Sequence, residues 1–89
     1  MGKATIVRAD GTETELDHRP SLEKAQNIVG GYIELVKAGH NTTLVVDEEG
    51  RMKNQPVNNT ITSRFKRSIY GLRIVGDVIV LEGWRTVGN

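Results

Sequence analysis

The sequence predicts an α+β domain, a mainly antiparallel sheet of about five strands with one or two short helices on one face. Three observations predict it. Short β-branched runs alternate with turns rich in Gly, Asp and Asn along most of the 89 residues. One segment, Leu22 to Val29, carries apolar residues at helical spacing between a serine and a glycine. The connections are short, as a meander of neighbouring strands requires. At this length the chain is read as a single domain over residues 1–89.

Lys3 to Leu16 reads as a β-hairpin. Thr5-Ile6-Val7 is β-branched throughout, Asp10-Gly11 favours a tight turn, and Thr12 to Leu16 alternates. A two-residue turn there sets Arg8 opposite Glu13 and Ile6 opposite Glu15. Asp17-His18-Arg19-Pro20 connects to Ser21, whose hydroxyl suits a helix N-cap. Leu22, Ala25, Ile28 and Val29 then form one apolar stripe, Glu23 meets the helix dipole, and Gly30 ends the helix.

Tyr32 to Val36 reads as a strand, with Ile33 and Leu35 on one face and Tyr32, Glu34 and Val36 on the other. After the turn from Lys37 to Asn41, Thr42 to Asp47 returns as its antiparallel partner. Glu48-Glu49-Gly50 forms a second turn, and Arg51-Met52-Lys53 is expected as a short third strand. Asn54 to Asn59 contains Pro56 and reads as loop. Ile61, Phe65 and Ile69 recur every four residues, which predicts a second helix from Asn59 or Thr60. Leu72 to Val75 and Val78 to Glu82 flank Gly76-Asp77, either as a tight hairpin or as one bulged strand. The tail from Gly83, with the lone Trp84, is expected to be loosely held.

Composition narrows the function. Leu, Ile, Val and Phe number 24 of 89, enough for one small core. With no cysteine there is no disulfide framework, thiolate metal site or cysteine nucleophile. A core this small makes self-association into a homo-oligomer favourable. No stretch approaches the ~18 apolar residues of a membrane span, so a soluble cytoplasmic protein is expected. His18 and His40 stand alone without metal-ligand spacing, and both read as surface residues. Asp47-Glu48-Glu49 is followed by Arg51 and Lys53 where a calcium loop needs oxygen ligands. Gly71 and Gly76 have the spacing of a phosphate-binding loop, but Asp77 occupies its lysine position. No cofactor and no enzymatic activity are expected.

The net charge of +1 conceals an asymmetry. Residues 1–50 hold 5 basic and 9 acidic side chains, and residues 51–89 hold 7 and 2. Arg64, Lys66 and Arg67 surround Phe65, and Arg51, Lys53 and Arg73 are candidates to join them in space. Clustered positive charge suits phosphates, so weak nucleic-acid binding is one alternative. Phe65 falls on the apolar stripe, though, which makes it core rather than a stacking platform, and a solvated helix face accounts for the cations equally well. The densest acidic and basic stretches adjoin across Gly50, where they are expected to neutralise one another.

Several short motifs are familiar: Val29-Gly30-Gly31-Tyr32-Ile33-Glu34, Val46-Asp47-Glu48-Glu49-Gly50-Arg51-Met52-Lys53, Pro56 with Asn58 or Asn59, and Ile74-Val75-Gly76-Asp77-Val78. Together they resemble a family of small proteins found mainly in phages and phage-derived regions, the domain of unknown function 3846. The resemblance spans Leu22 to Leu81. The chain departs from it after the proline, where Asn58-Asn59-Thr60-Ile61 replaces the family's Asn-x-x-Ala. The family brings no established activity. It implies a phage accessory protein in the host cytoplasm, acting stoichiometrically in host takeover or counter-defence, on a host protein or a small nucleotide ligand.

The family-like positions Tyr32, Glu34, Asp47, Glu48 and Asn58 combine hydroxyl, carboxylate and amide groups. Tyr32, Glu34, Asp47 and Asn58, with Arg64, Lys66 and Arg67, are therefore the candidate ligand-binding residues. Tyr32 and Glu34, on one sheet face, are expected to line a pocket or a subunit interface. The simpler account gives the acids to solubility and the glycines to turn geometry. A small enzyme working through Glu34 or Asp47 is a further alternative, and it requires a carboxyl with a raised pKa in a cleft.

Overall fold

Five strands form one antiparallel sheet in the computed structural model of the chain, which describes residues 2–83. They are β1 (Lys3–Val7), β2 (Glu13–Leu16), β3 (Ile33–Lys37), β4 (Thr42–Asp47) and β5 (Val78–Glu82). Among the described residues, two helices accompany the sheet, α1 (Leu22–Val29) and α2 (Asn59–Arg64). The sheet order is β2-β1-β5-β4-β3, so the last strand in sequence enters at the centre.

The first hairpin forms with its register shifted by one residue. Val7 faces Glu13, and Ile6 faces Thr14. The Arg8 amide donates to Thr12 O at 2.9 Å and the Gly11 amide to Arg8 O at 2.9 Å. These bonds close a three-residue loop, Ala9-Asp10-Gly11, instead of the two-residue turn expected from Asp10-Gly11. Gly11 sits at φ 93, the left-handed residue that such a loop needs. The extra loop residue moves Glu15 off Ile6 and onto Thr5. The Arg8 guanidinium donates to Thr14 Oγ1 at 2.8 Å rather than pairing with Glu13.

Helix α1 has the expected caps. Ser21 Oγ accepts from the Lys24 amide at 3.1 Å, and Gly30 takes the left-handed conformation at φ 93. Ala25 and Val29 are buried and Ile28 half-buried, but Leu22, in the first turn, is 61% exposed and leaves the stripe. Strands β3 and β4 pair as expected, with Leu35 against Val45. Arg51-Met52-Lys53 forms turns, not the short strand expected. The Lys53 amide donates back to Glu49 O at 3.0 Å and Gln55 N to Gly50 O at 3.1 Å, which coils the segment.

Helix α2 is capped by Asn58, and its apolar stripe continues past its end. Ile61 and Ile69 are buried and Phe65 half-buried, although the chain turns irregularly after Arg64. The segment before β5 is neither hairpin nor bulged strand. Val75 bridges only to Val57, and the Gly76 amide donates to Pro56 O at 2.7 Å, so Gly76-Asp77 bends the chain into β5.

The helices take opposite faces of the sheet instead of sharing one. Ala4, Val45, Ile79 and Leu81 pack with Ala25 and Val29 of α1. Val7, Leu44, Val46, Val78 and Val80 pack with Ile61 of α2, Ile69 and Ile74. The cause lies in β4 and β5. Leu44-Val45-Val46 and Val78-Ile79-Val80-Leu81 are apolar at consecutive positions, so both faces need cover. The Gly83 amide donates to Asn41 O at 2.9 Å. The remainder of the expected loose tail, residues 84–89, lies outside the described residues.

Candidate functional site

Asp47 ends β4 on the α1 face, opposite Ile33. Its side chain is 1% exposed and holds together what surrounds it. Oδ1 accepts from the Glu49 amide at 2.9 Å; Oδ2 accepts from Lys53 Nζ at 2.9 Å and Gln55 Nε2 at 2.9 Å. Lys53 Nζ also donates to Gly30 O at 3.1 Å, placing a cation at the carbonyl end of α1. Gly31 admits this cluster, since a Cβ there would stand 2.7 Å from Lys53 Nζ. Burial pushes the Asp47 carboxyl up, but the bonds from Lys53, the Glu49 amide and Gln55 outweigh it and hold the group below its ordinary value. A catalytic carboxyl acting as an acid would need the opposite shift.

Asn58 is fully buried and equally committed. Its Oδ1 accepts from the Ile61 amide at 3.0 Å, capping α2. Its Nδ2 donates to Val7 O at 2.8 Å and Gly76 O at 2.9 Å, joining β1 and the bend before β5. Asp47 and Asn58 thus bind the protein's own groups.

The remaining candidates separate. Tyr32 precedes β3 and stands 72% exposed, beside a cleft with Gly30, Gly31, Glu49 and Lys53. Glu34 lies on the α2 face and lines a different cleft, so the expected Tyr32–Glu34 pair is not formed in one pocket. Arg64 Nη2 pairs with Glu13 Oε2 at 3.0 Å, beside Glu15 and Glu82. Lys66 and Arg67 are exposed. The anticipated union of Arg51, Lys53 and Arg73 with Arg64 does not occur: Lys53 turns to Asp47, and Arg51 Nη2 donates to Arg73 O at 3.2 Å.

Two clefts share a wall made by Arg51 and the 72–75 segment. The first, of about 430 Å³, has Val36, Val46 and Ile74 in its lining, together with Glu34, Glu48, Arg51 and Arg73. Met52, 80% exposed, also lines it. The second, of about 580 Å³, lies on the 54–57 side and contains Arg51, Arg73, Asn54 and Gln55. Segment 72–75 is firmly tied. Ile74 O accepts from the Asn58 amide at 2.8 Å, Thr62 Oγ1 accepts from the Ile74 amide at 3.1 Å, and Val75 bridges to Val57.

Asn54, Arg51 and Arg73 are the surface groups that residue types alone did not single out as a set. Their proximity comes from the Val57–Val75 bridge, and two isolated valines carry almost no sequence signal. Among the described residues, no three His, Asp or Glu side chains gather as metal ligands, and no helix is long and apolar enough to cross a membrane. No curated protein and no solved structure matches the chain. A family model does match, over residues 2–88, nearly the whole length. The chain belongs to the family described as Domain of unknown function (DUF3846).

Proposed function

We propose that this is a non-enzymatic accessory binding protein of phage type, which engages a host protein through the cleft beside β3. The observation that carries the reading is the makeup of that cleft. Its lining combines apolar Val36, Val46 and Ile74 with acids, Glu34 and Glu48, and bases, Arg51 and Arg73. Mixed charge around an apolar centre is the anatomy of a protein-binding patch. Strand β3 is also an edge of the sheet, so its outer backbone groups can pair with an extended segment of a partner. Met52 adds an adaptable apolar surface at the cleft. The low pKa of Asp47 supports the non-enzymatic part, because the best-buried carboxyl serves internal bonds.

The nucleic-acid alternative gains less support. Arg64 is paired with Glu13 in a cleft that also holds Glu15 and Glu82, surroundings that repel a phosphate backbone. The host-protein reading is tested with a photo-crosslinking residue at position 34, and as a control at position 12, in intact host cells. A discrete adduct from position 34 alone, abolished when Val36→Arg is added, is expected. Equal labelling from both positions, or none from 34, would exclude the cleft as the binding surface.

A further inference from the structure

We propose that the second cleft, between the 51–55 turn and the 71–75 segment, is a nucleotide site. In it Arg51, Arg73 and Asn54 hold the phosphates and Tyr70 stacks on the base. This goes beyond the host-protein reading, which takes the same two arginines from the Glu34 side of the shared wall.

The sign of the charge is the first observation. The clefts around Glu34, Arg64 and Tyr32 all contain carboxylates, whereas this one has two arginines and no acid. Its volume of about 580 Å³ suits a small ligand. Two guanidiniums sharing a wall repel one another, and a phosphate placed between them converts that repulsion into charge-assisted hydrogen bonds.

The donors are also prepared and unspent. Arg51 is oriented by its bond to Arg73 O at 3.2 Å, and Arg73 stands on the tied 72–75 segment. Among the described residues, the Arg73 guanidinium and the Asn54 side-chain amide have no hydrogen-bond or ion-pair partner. Gln55, by contrast, spends its amide on Asp47 and serves only as wall. Val57, Val75 and Leu72 supply the apolar part of the lining.

Tyr70 supplies the aromatic. It is 96% exposed and left-handed at φ 55, next to Gly71, which lines the cleft at φ 74. A bulky residue is disfavoured in that region of backbone space, and here no burial of the ring compensates. An exposed ring one residue away from the lining of a cationic cleft is suited to stacking on a nucleobase whose phosphates the arginines hold.

The test is calorimetric titration of the intact protein with ADP and separately with inorganic pyrophosphate, in buffer of low ionic strength. ADP is expected to bind with a submillimolar Kd. Arg73→Gln weakens both ligands by about tenfold or more. Tyr70→Ala weakens ADP by about fivefold or more and leaves pyrophosphate unchanged. Asn54 is left-handed at φ 56, so Asn54→Gly keeps the turn and weakens both, and Arg64→Gln weakens neither. No ADP binding at millimolar concentration overturns the proposal. So does equal binding of ADP and pyrophosphate that ignores Tyr70→Ala, which would signify a phosphate patch only. Binding of a single-stranded oligonucleotide without binding of ADP overturns it as well. The crosslinking result at position 34 is independent of all these outcomes.

Discussion

At the scale of single residues, the polar groups of this chain divide into those that hold the fold and those that stay at the surface. Asp47 and Asn58 carry functional-looking chemistry, yet each is buried and spends its polar atoms on neighbouring backbone and side chains. Residue type cannot reveal this, because burial is decided by strands and loops far away in sequence. Asp47 makes the division measurable through pH. Its carboxyl is pushed up by burial but held low overall by Lys53, the Glu49 amide and Gln55. A carboxyl lowered in the folded state contributes stability that is complete above its unfolded pKa of about 4. That contribution is lost as pH falls through the lower folded value. Stability is therefore expected to drop below about pH 4, and Asp47→Asn to make that drop shallower while costing about 2 kcal/mol at neutral pH. Urea unfolding of both chains at pH 7 and pH 3 measures it. A variant that loses as much stability as the parent over that interval would show that Asp47 is not a source of the acid sensitivity.

Elements differed in how legible they were, and the difference follows from how local their causes are. Helix α1 is fixed by Ser21, its own apolar spacing and Gly30, all within ten residues, so sequence reasoning located it. The β1–β2 hairpin was equally visible, but its register depends on whether Gly11 ends a two- or a three-residue loop, and Asp10-Gly11 serves either. Arg51 to Lys53 coils because bonds to Glu49 O and Gly50 O, together with the pull of Asp47 on Lys53, override its modest strand character. Two left-handed glycines separate local from tertiary causes. At Gly11, φ 93, nothing lies within 4 Å of an added Cβ, so Gly11→Ala costs only backbone strain, about 1 kcal/mol. At Gly76, φ 78, an added Cβ falls on Gln55 Oε1, and Gln55 cannot retreat without leaving Asp47. Gly76→Ala is expected to cost about 3 kcal/mol or more, a loss of more than ~12 °C in Tm against about 4–8 °C for Gly11→Ala. Thermal unfolding followed by circular dichroism decides it. Equal shifts would mean that the Gln55–Asp47 contact does not constrain the bend.

On the scale of the whole molecule, long-range pairing organises what the local signals left open. Lys3 pairs with Glu82, so β5 is flanked by a strand from the start of the chain and by β4. No local pattern announces such a pairing, although the unbroken apolar run from Val78 to Leu81 is what a strand covered on both faces requires. The division of charge also takes its place here. The ion pairs Asp47–Lys53 and Glu13–Arg64 each join an acid of the first half to a base of the second. Arg51 and Arg73 are not used in this way and line the two clefts instead. Stability should follow the same layout. Strand β5 has two strand neighbours, and its residues Val78 to Leu81 are buried between the two cores. Strand β2 has one neighbour and exposes Glu13, Thr14 and Glu15, and β3 is the opposite edge. Opening β5 must break both cores, so its amides exchange only on global unfolding, whereas β2 detaches by leaving β1, the exposed Glu13–Arg64 pair and the Leu16 contact at the core's rim. Native-state hydrogen exchange is expected to rank β5 amides slowest, β4 and β1 next, and the hydrogen-bonded amides of β2 and β3 faster by about tenfold or more. Edge amides as protected as those of β5 would show that a further strand or a second copy covers the edges in solution, and β3 would then no longer be open to a host partner.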